Sequence, residues 1–176
     1  GILIAGNQSA LLDIVHGLQP NTTSSRSTAM GIIANAGITR IDLTVNVAKP
    51  LMSRVGNGDF PTEIPEESAG ELRERAGEYG TVTGRPRRIG DLDLLALYHA
   101  IRVNGGNESV LALTKTDIFY GREIRIATAY AKENEVLERF PSDLSGCRGT
   151  NYKVFGPMED TTNIDRMDNL LPRTRE

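Results

Sequence analysis

Apolar and polar positions change places in short blocks along the chain, and the blocks predict alternating strands and helices. ILIAG (2–6) is an apolar run closed by glycine, the pattern of a buried strand entering a turn. SALLDIVHGL (9–18) predicts a short helix or an irregular segment, stopped by Gly17 and Pro20. NTTSSRSTA (21–29) is a hydroxyl-rich loop leading into a small-residue helix, STAMGIIANAG (27–37), with Ser27 or Thr28 as N-cap and Gly37 beyond its end. RIDLTVNVAKPLMSRV (40–55) is β-branched and partly alternating, which predicts a strand pair or one strand broken at Pro50. GNGDFPTEIP (56–65) reads as loop, and EESAGELRERAGEYG (66–80) as a polar surface helix weakened at its end by Gly77 and Gly80. DLDLLALYHAIRVNGG (91–106) has helical spacing, with a start at Asp91 and a stop at Asn104-Gly105. SVLALTKTDIF (109–119) predicts a strand running into a polar turn, and REIRIATAYA (122–131) another strand. From EVLERFPSDL (135–144) onward the chain is short-ranged and loop-rich, with a polar, peripheral tail over 161–176.

Strands alternating with helices are the signature of an α/β fold. The expectation is a mostly parallel sheet with flanking helices, in which ligands sit at loops beyond the carboxyl ends of strands. The chain opens on GILIAG without a methionine, as though a strand were entered in mid-protein. The expectation from this is the C-terminal part of a longer polypeptide.

Composition narrows the function classes. The 176 residues suffice for one domain with a core, and the net charge of −3 argues against a general DNA-binding or membrane-surface protein. Cys147 has no second cysteine to pair with, which points to a reducing, cytoplasmic setting. No apolar run approaches the ~20 residues needed to span a bilayer.

Against that acidic background, YGTVTGRPRRIGD (79–91) concentrates three arginines on a Gly-rich, β-branched stretch. Thr81 and Thr83 offer hydroxyls, while Arg85, Arg87 and Arg88 offer guanidinium forks that hold carboxylates or phosphates bidentately. Gly80 and Gly84 permit tight turns, and Pro86 stiffens the loop. A solvated charged turn is the plain alternative. An arginine hook for the minor groove is another, disfavoured by flanking helical segments and acidic surroundings.

Two further clusters carry chemistry. Lys115, Thr116 and Asp117, in LTKTD at a strand's end, form a Lys-x-Asp whose carboxylate can accept both the ring N–H and the exocyclic amine of guanine; the plain alternative is a strand-end turn with exposed charges. Gln8, after Gly6, and the run Thr22-Thr23-Ser24-Ser25 before a helix offer groups for a base or phosphate, though such runs also fill ordinary loops. Asp13 and His16 suit acid–base chemistry in principle, but no third partner is placed near them, and a structural role is expected for both. His99, on an amphipathic helix, reads as a packing or surface residue. There is no Cys/His cluster with metal-ligand spacing and no Walker-type phosphate loop.

In order, GNQSALLDIVHG, TTSSRSTA, RVGNGDFPTE, EYGTVTGRPRR, LTKTD and VFGP resemble one family, adenylosuccinate synthetase, a GTP-dependent ligase of purine synthesis. RVGNGDFPTE and GTVTGRPRR in tandem are the most distinctive, and the spacing fits to about Tyr130. The resemblance covers most of the chain, taken as 1–160, but only the C-terminal half of a family member. It implies a P-loop-NTPase-like GTP-binding ligase fold that is incomplete here. It implies that Gln8, Thr23 and Arg85 bind inosine monophosphate (IMP), with Val55 and Gly56 beside its base and ribose. It implies that the loop Thr81, Val82, Thr83, Gly84, Arg85, Pro86 and Arg87 closes on L-aspartate. Arg87, Lys115, Thr116 and Asp117, with Val154, Phe155 and Gly156, are implied as GTP contacts.

The implied reaction joins L-aspartate to IMP with GTP and Mg²⁺, in the cytoplasm, by a protein that is a homodimer at full length. Neither nucleic acid nor membrane is an implied partner. The family's phosphate loop, with its catalytic Asp and Mg²⁺ contact, and the nearby catalytic His are absent from these residues, so catalytic groups and metal ligands are expected elsewhere. The stretch from Tyr130 to Gly156 is shorter than usual, VFGP replaces a hydroxyl-containing segment, NQSA replaces a more Gly-rich turn, and Arg26 stands where a small polar residue is usual. Two alternatives stay open: a relative that uses a deoxyguanylate, and a nonenzymatic nucleotide-binding fragment.

Overall fold

A computed structural model describes residues 1–160. The predicted tail over 161–176 lies outside the described residues.

The chain forms three helices and nine strands among the described residues: α1 (Ala29–Asn35), β1 (Val45–Ala48), β2 (Leu51–Arg54), α2 (Glu66–Ala76), β3 (Arg88–Asp93), α3 (Leu94–Val103), β4 (Val110–Leu113), β5 (Ile124–Ala127), β6 (Ala129–Lys132), β7 (Glu135–Leu137), β8 (Arg148–Thr150) and β9 (Lys153–Phe155). The strands make a parallel pair β1–β4, a four-stranded sheet in the order β2-β3-β5-β9, and a three-stranded sheet β7-β6-β8.

The fold is α/β, but the sheets are mixed rather than mostly parallel. Only β1–β4 and β3–β5 pair in parallel, whereas β2–β3, β5–β9, β6–β7 and β6–β8 are antiparallel. A short link forces one of these: Glu133-Asn134 between β6 and β7 cannot carry the long crossover that parallel neighbours need. The pairs β2–β3, β5–β9 and β6–β8 are instead joined by longer stretches of chain.

Other expectations are corrected in detail. Residues 2–6 form no strand and are exposed, with Leu3 95% accessible. Residues 9–18 hold a single 3₁₀ turn, Ala10–Leu12. The segment 122–131 is two strands rather than one, and the stretch after 135 supplies three strands, β7, β8 and β9. The helix expected from Asp91 starts at Leu94, because Asp91 lies inside β3 and Asp93 is the cap, accepting the Ala96 N–H at 3.0 Å. The break at Pro50 falls where predicted, dividing β1 from β2. Thr28 is the residue before α1, and Gly37 follows its end at φ +68°.

The main core packs α2 on the four-stranded sheet. Ala69, Leu72, Arg73 and Ala76 repeat at i, i+3, i+4 and i+7, and that stripe is buried. It meets Leu51, Ile89, Ile118, Phe119 and Ile124. Glu66 and Glu67 in the first turn and Arg73 and Arg75 in the last suit the helix dipole, and Gly77 at φ +60° ends the helix in a left-handed cap. A second cluster joins Leu95 of α3 to Tyr130, Leu144 and Cys147. The parallel pair β1–β4 differs, since Val45, Val47, Val110, Leu111 and Leu113 all remain substantially exposed. No helix among the described residues is long and apolar enough to cross a membrane.

Candidate functional site

The left-handed cap at Gly77 turns the chain so that Glu78 follows α2 into the interior. The Glu78 side chain is 2% exposed. Its backbone carbonyl accepts the Arg87 N–H at 3.0 Å, Tyr79 bridges Pro86, and the Gly80 N–H donates to the Arg85 carbonyl at 2.9 Å. These bonds close a hairpin base. Above it, Thr81 to Pro86 are all exposed, and Gly84 turns the tip at φ +62°. The Arg85 guanidinium has no ion-pair partner among the described residues. A pinned base under a free, arginine-bearing tip is the geometry of a loop that can move onto an anion.

The three arginines have different fates. Arg85 is free at the tip. Arg87, half-buried at the foot, donates Nη1 to Glu78 Oε2 at 2.7 Å, while its Nε is buried without a partner among the described residues. Arg88 is the first residue of β3. It forks onto Glu63 at 2.7 and 2.5 Å, donates to the Gly56 and Gly58 carbonyls at 3.1 and 2.9 Å, and lies 5.4 Å from the Phe60 ring centroid. That guanidinium is structural, and it brings Val55-Gly56 against the foot of the loop. Gly56 needs its missing side chain here, at φ +78°.

Glu78 also gathers lysines. Lys49, from the β1–β2 turn, donates to Oε1 at 2.6 Å and to Ser53 Oγ at 2.9 Å. Lys115 Nζ lies 3.6 Å from the same Oε1 and donates to the Ala76 carbonyl at 2.5 Å. Burial alone would raise the Glu78 carboxyl. Lys49, Ser53 and Arg87 outweigh it and hold the group at about 2, against an ordinary 4.5. Burial lowers the Lys49 ammonium despite the Glu78 charge beside it.

Lys115 itself is left-handed, at φ +58°, and starts the 3₁₀ turn Thr116–Phe119. Ile118 and Phe119 anchor that turn in the core and leave Asp117 exposed. The turn continues into a junction with the end of β9. The Gly121 N–H donates to the Met158 carbonyl at 3.0 Å, and the Met158 N–H to the Arg122 carbonyl at 3.0 Å. Val154, Phe155 and Gly156, just before this junction, are all exposed.

Gln8 and Thr23 meet through Ser25, whose Oγ donates to Gln8 Oε1 at 3.3 Å and lies 3.4 Å from Thr23 Oγ1. The loop carrying them is anchored by Asp13, which is fully buried. Asp13 Oδ1 accepts the N–H groups of Val15 and His16 at 2.9 and 3.0 Å. Oδ2 accepts those of Ser27 and Thr28 at 2.7 and 3.0 Å, and the Thr28 hydroxyl at 3.2 Å. Burial pushes this carboxyl up, but the four N–H groups hold it well below the usual range. Its role is structural. His99 is also a packing residue, stacked on Phe140 with centroids 4.6 Å apart. A β-carbon at Gly58 would lie 3.0 Å from Asn21 Nδ2, so the hydroxyl-rich loop meets the 56–59 loop.

The predicted segments therefore form one contiguous band. The structure brings Val55-Gly56 to the loop foot through Arg88 and Arg87 to Lys115 through Glu78, and it ties the 120–122 stretch after the Lys115–Asp117 turn to Met158, just beyond 154–156. It does not place Gln8 or Thr23 in contact with Arg85. Sequence reasoning missed Glu78 and Lys49. The available signal was Glu78 directly after a helix-ending glycine, a position where a carboxylate can be turned inward. A cleft of ≈ 520 Å³ lined by Leu94, Tyr98, His99, Arg102, Arg139 and Phe140 contains none of these residues. Among the described residues, no three His, Cys, Asp or Glu side chains converge on a metal position.

The described residues thus form a mixed α/β scaffold with an arginine-bearing loop, a strand-end Lys-x-Asp and a buried carboxylate between them. The sequence matches the adenylosuccinate synthetase family over residues 1–176, and the chain belongs to that family. It is 42% identical to the adenylosuccinate synthetase of Thermodesulfovibrio yellowstonii over 175 residues, covering 96% of this chain and 41% of that protein. It is 47% identical to that of Salinibacter ruber over 145 residues, 81% of this chain and 33% of the relative. Its structure is similar to that of fully ligated adenylosuccinate synthetase from Plasmodium falciparum, with TM-score 0.84, 33% identity, and coverage of 94% of this chain and 41% of that one. The chain thus spans between one third and about two fifths of the length of these relatives.

Proposed function

We propose that this chain supplies the aspartate loop and the guanine-reading segment of a GTP-dependent ligase that joins L-aspartate to IMP. The observation that carries the reading is the loop Thr81–Arg87: pinned at its base, exposed at its tip, with Arg85 unpaired and the Arg87 guanidinium bound only through Nη1 among the described residues. Guanidinium forks there suit a dicarboxylic amino acid. In the proposed reaction, IMP gives up its N1 proton to a base from another segment of the full-length protein, O6 attacks the γ-phosphorus of GTP, and the bond from that phosphorus to the β-γ bridging oxygen breaks to release GDP. The aspartate amine then attacks C6 of the phosphorylated IMP, the C6–O bond breaks, phosphate leaves, and the amine loses a proton.

This chain's own part is to bind and orient. Arg85 and Arg87 neutralise the carboxylates and bring the amine towards C6. Asp117 accepts from guanine, Lys115 packs alongside, and Val154–Gly156 flank the base. Gln8 and Thr23, with Val55-Gly56, address IMP. Loop closure excludes water from the phosphorylated intermediate. The described residues do not fit a Mg²⁺ site, so no step here runs through the metal; its ligands and the catalytic Asp and His belong to other segments of a full-length member. A cytoplasmic homodimer is part of the same proposal.

The test is an assay of phosphate release by the full-length protein that contains this chain, with aspartate and GTP, offering IMP and deoxyguanylate side by side. Aspartate-dependent release with IMP supports the reading. Release with deoxyguanylate alone replaces IMP as the substrate. Release with neither removes the ligase reading and leaves a nucleotide-binding chain.

A further inference from the structure

Glu78 lies outside every segment assigned to a substrate, yet it joins two of them. Its carbonyl closes the hairpin under the loop, and its carboxylate faces three cations from three different elements. Arg87 takes Oε2 at 2.7 Å and Lys49 takes Oε1 at 2.6 Å, while Lys115 waits 3.6 Å from Oε1. At 2% exposure, little water competes for that carboxylate. One negative charge is therefore divided among three positive groups, two of which belong to the proposed aspartate and guanine sites.

We infer that Glu78 is a positioning residue that couples the Thr81–Arg87 loop to the Lys115–Asp117 turn by serving as their shared counter-ion. This rests on the ligase reading for its ligands, but not for its geometry. An anion that draws Arg87 away from Oε2 leaves the carboxylate to Lys49 and Lys115 and tightens the turn. A nucleotide that draws Lys115 outward strengthens the hold on Arg87. Coupling of this kind is reciprocal: each ligand changes the other's affinity by the same factor, commonly about fivefold or more. Lys49 competes with Lys115 for Oε1, and the Ala76 carbonyl, which accepts from Lys115 Nζ at 2.5 Å, also holds that ammonium.

The test is nuclear magnetic resonance on the full-length protein that contains this chain, without ligand. Arg87→Met is expected to shift the backbone amides of Lys115–Asp117, and Lys115→Met those of Gly80–Arg87. In a Glu78→Gln background both cross-responses are expected to vanish, whereas simple proximity would preserve them. Absent cross-responses in the wild-type background, or undiminished ones in Glu78→Gln, overturn the inference. If Glu78→Gln does not fold, Lys49→Met replaces it: removing the competitor draws Lys115 onto Glu78, so the Lys115 ammonium signal responds more strongly to Arg87→Met. An unaltered response there overturns the inference equally. No nucleotide or aspartate enters these measurements, so a failed ligase assay and a failed coupling test are separate outcomes.

Discussion

Replacing Asp13 with asparagine tests how the hydroxyl-rich loop is held. The Asp13 carboxylate accepts four backbone N–H groups and one hydroxyl, between 2.7 and 3.2 Å, with no exposure of its own. An amide keeps one oxygen and turns an NH₂ towards the other pair of donors. Two charge-assisted bonds are lost outright, and two buried N–H groups face another donor. At ~1.5 kcal/mol for each such loss, the anchor weakens by about 3 kcal/mol. Because residues 1–9 are exposed, the cost should appear as local opening of residues 8–28 rather than as global unfolding. Amide hydrogen exchange at Val15, His16, Ser27 and Thr28 reads this directly, and ~3 kcal/mol corresponds to about 100-fold faster exchange.

The pH dependence has a definite sign. The folded Asp13 carboxyl lies below its ordinary value near 3.8, so its contribution is fully present above that pH and is lost as pH falls through the folded value. Protection at those four amides, taken relative to their intrinsic exchange at each pH, should therefore fall on acidification in the wild type and change less in Asp13→Asn. Wild-type protection retained in the variant would refute the reasoning.

Four other substitutions test separate parts of the structure. Arg85→Lys leaves thermal stability within about 0.5 kcal/mol, since Arg85 has no ion pair here, but raises KM for aspartate about tenfold in the full-length ligase by exchanging a fork for a point charge; unchanged kinetics would remove Arg85 from the site. Asp117→Asn is expected to relax the preference for GTP by about tenfold or more in competition with other nucleoside triphosphates, and strict retention of GTP counts against the guanine-reading role. Tyr130→Phe removes the buried 2.6 Å bond to Asp93 and should cost about 1–3 kcal/mol in thermal or urea unfolding; a neutral result would show that Asp93 finds another donor. Gly90→Ala places a methyl 2.6 Å from the Phe60 ring and 2.8 Å from the Thr62 carbonyl, so a loss of about 1–3 kcal/mol is expected, and a stable variant would mean that Phe60 moves freely.

Much of this protein is legible in its sequence because the signals are local. The Gly77 end of α2, the break at Pro50 and the place of Thr28 before α1 each follow from spacing or backbone preference within a few residues, whereas α2, expected as a polar surface helix, buries Ala69, Leu72, Arg73 and Ala76. The family motifs are likewise contiguous, which is why the loop 81–87 and the turn 115–117 can be put forward as proposed site segments before any fold is known. What stays hidden depends on partners distant in the chain. RRIGDLD (87–93) looks like loop and helix start, yet it becomes the strand β3, buried at Ile89, Gly90, Leu92 and Asp93, because Leu51, Phe60 and Thr62 pack over it and β5 pairs beside it. Strand direction is hidden too, since sequence alternation reports which face is buried and not which neighbour supplies the hydrogen bonds.

Charge divides in the same way. The sequence by itself determines that three arginines crowd a loop of an acidic chain, and that their chemistry suits small anions. Only the tertiary structure assigns them separate work: Arg88 braces Glu63 and the 56–58 loop, Arg87 is tied to Glu78, and Arg85 is left free. The reason is that a guanidinium's role is set by which carboxylate it can reach, and Glu63 and Glu78 are brought within reach by the packing of α2 against β2 and β3.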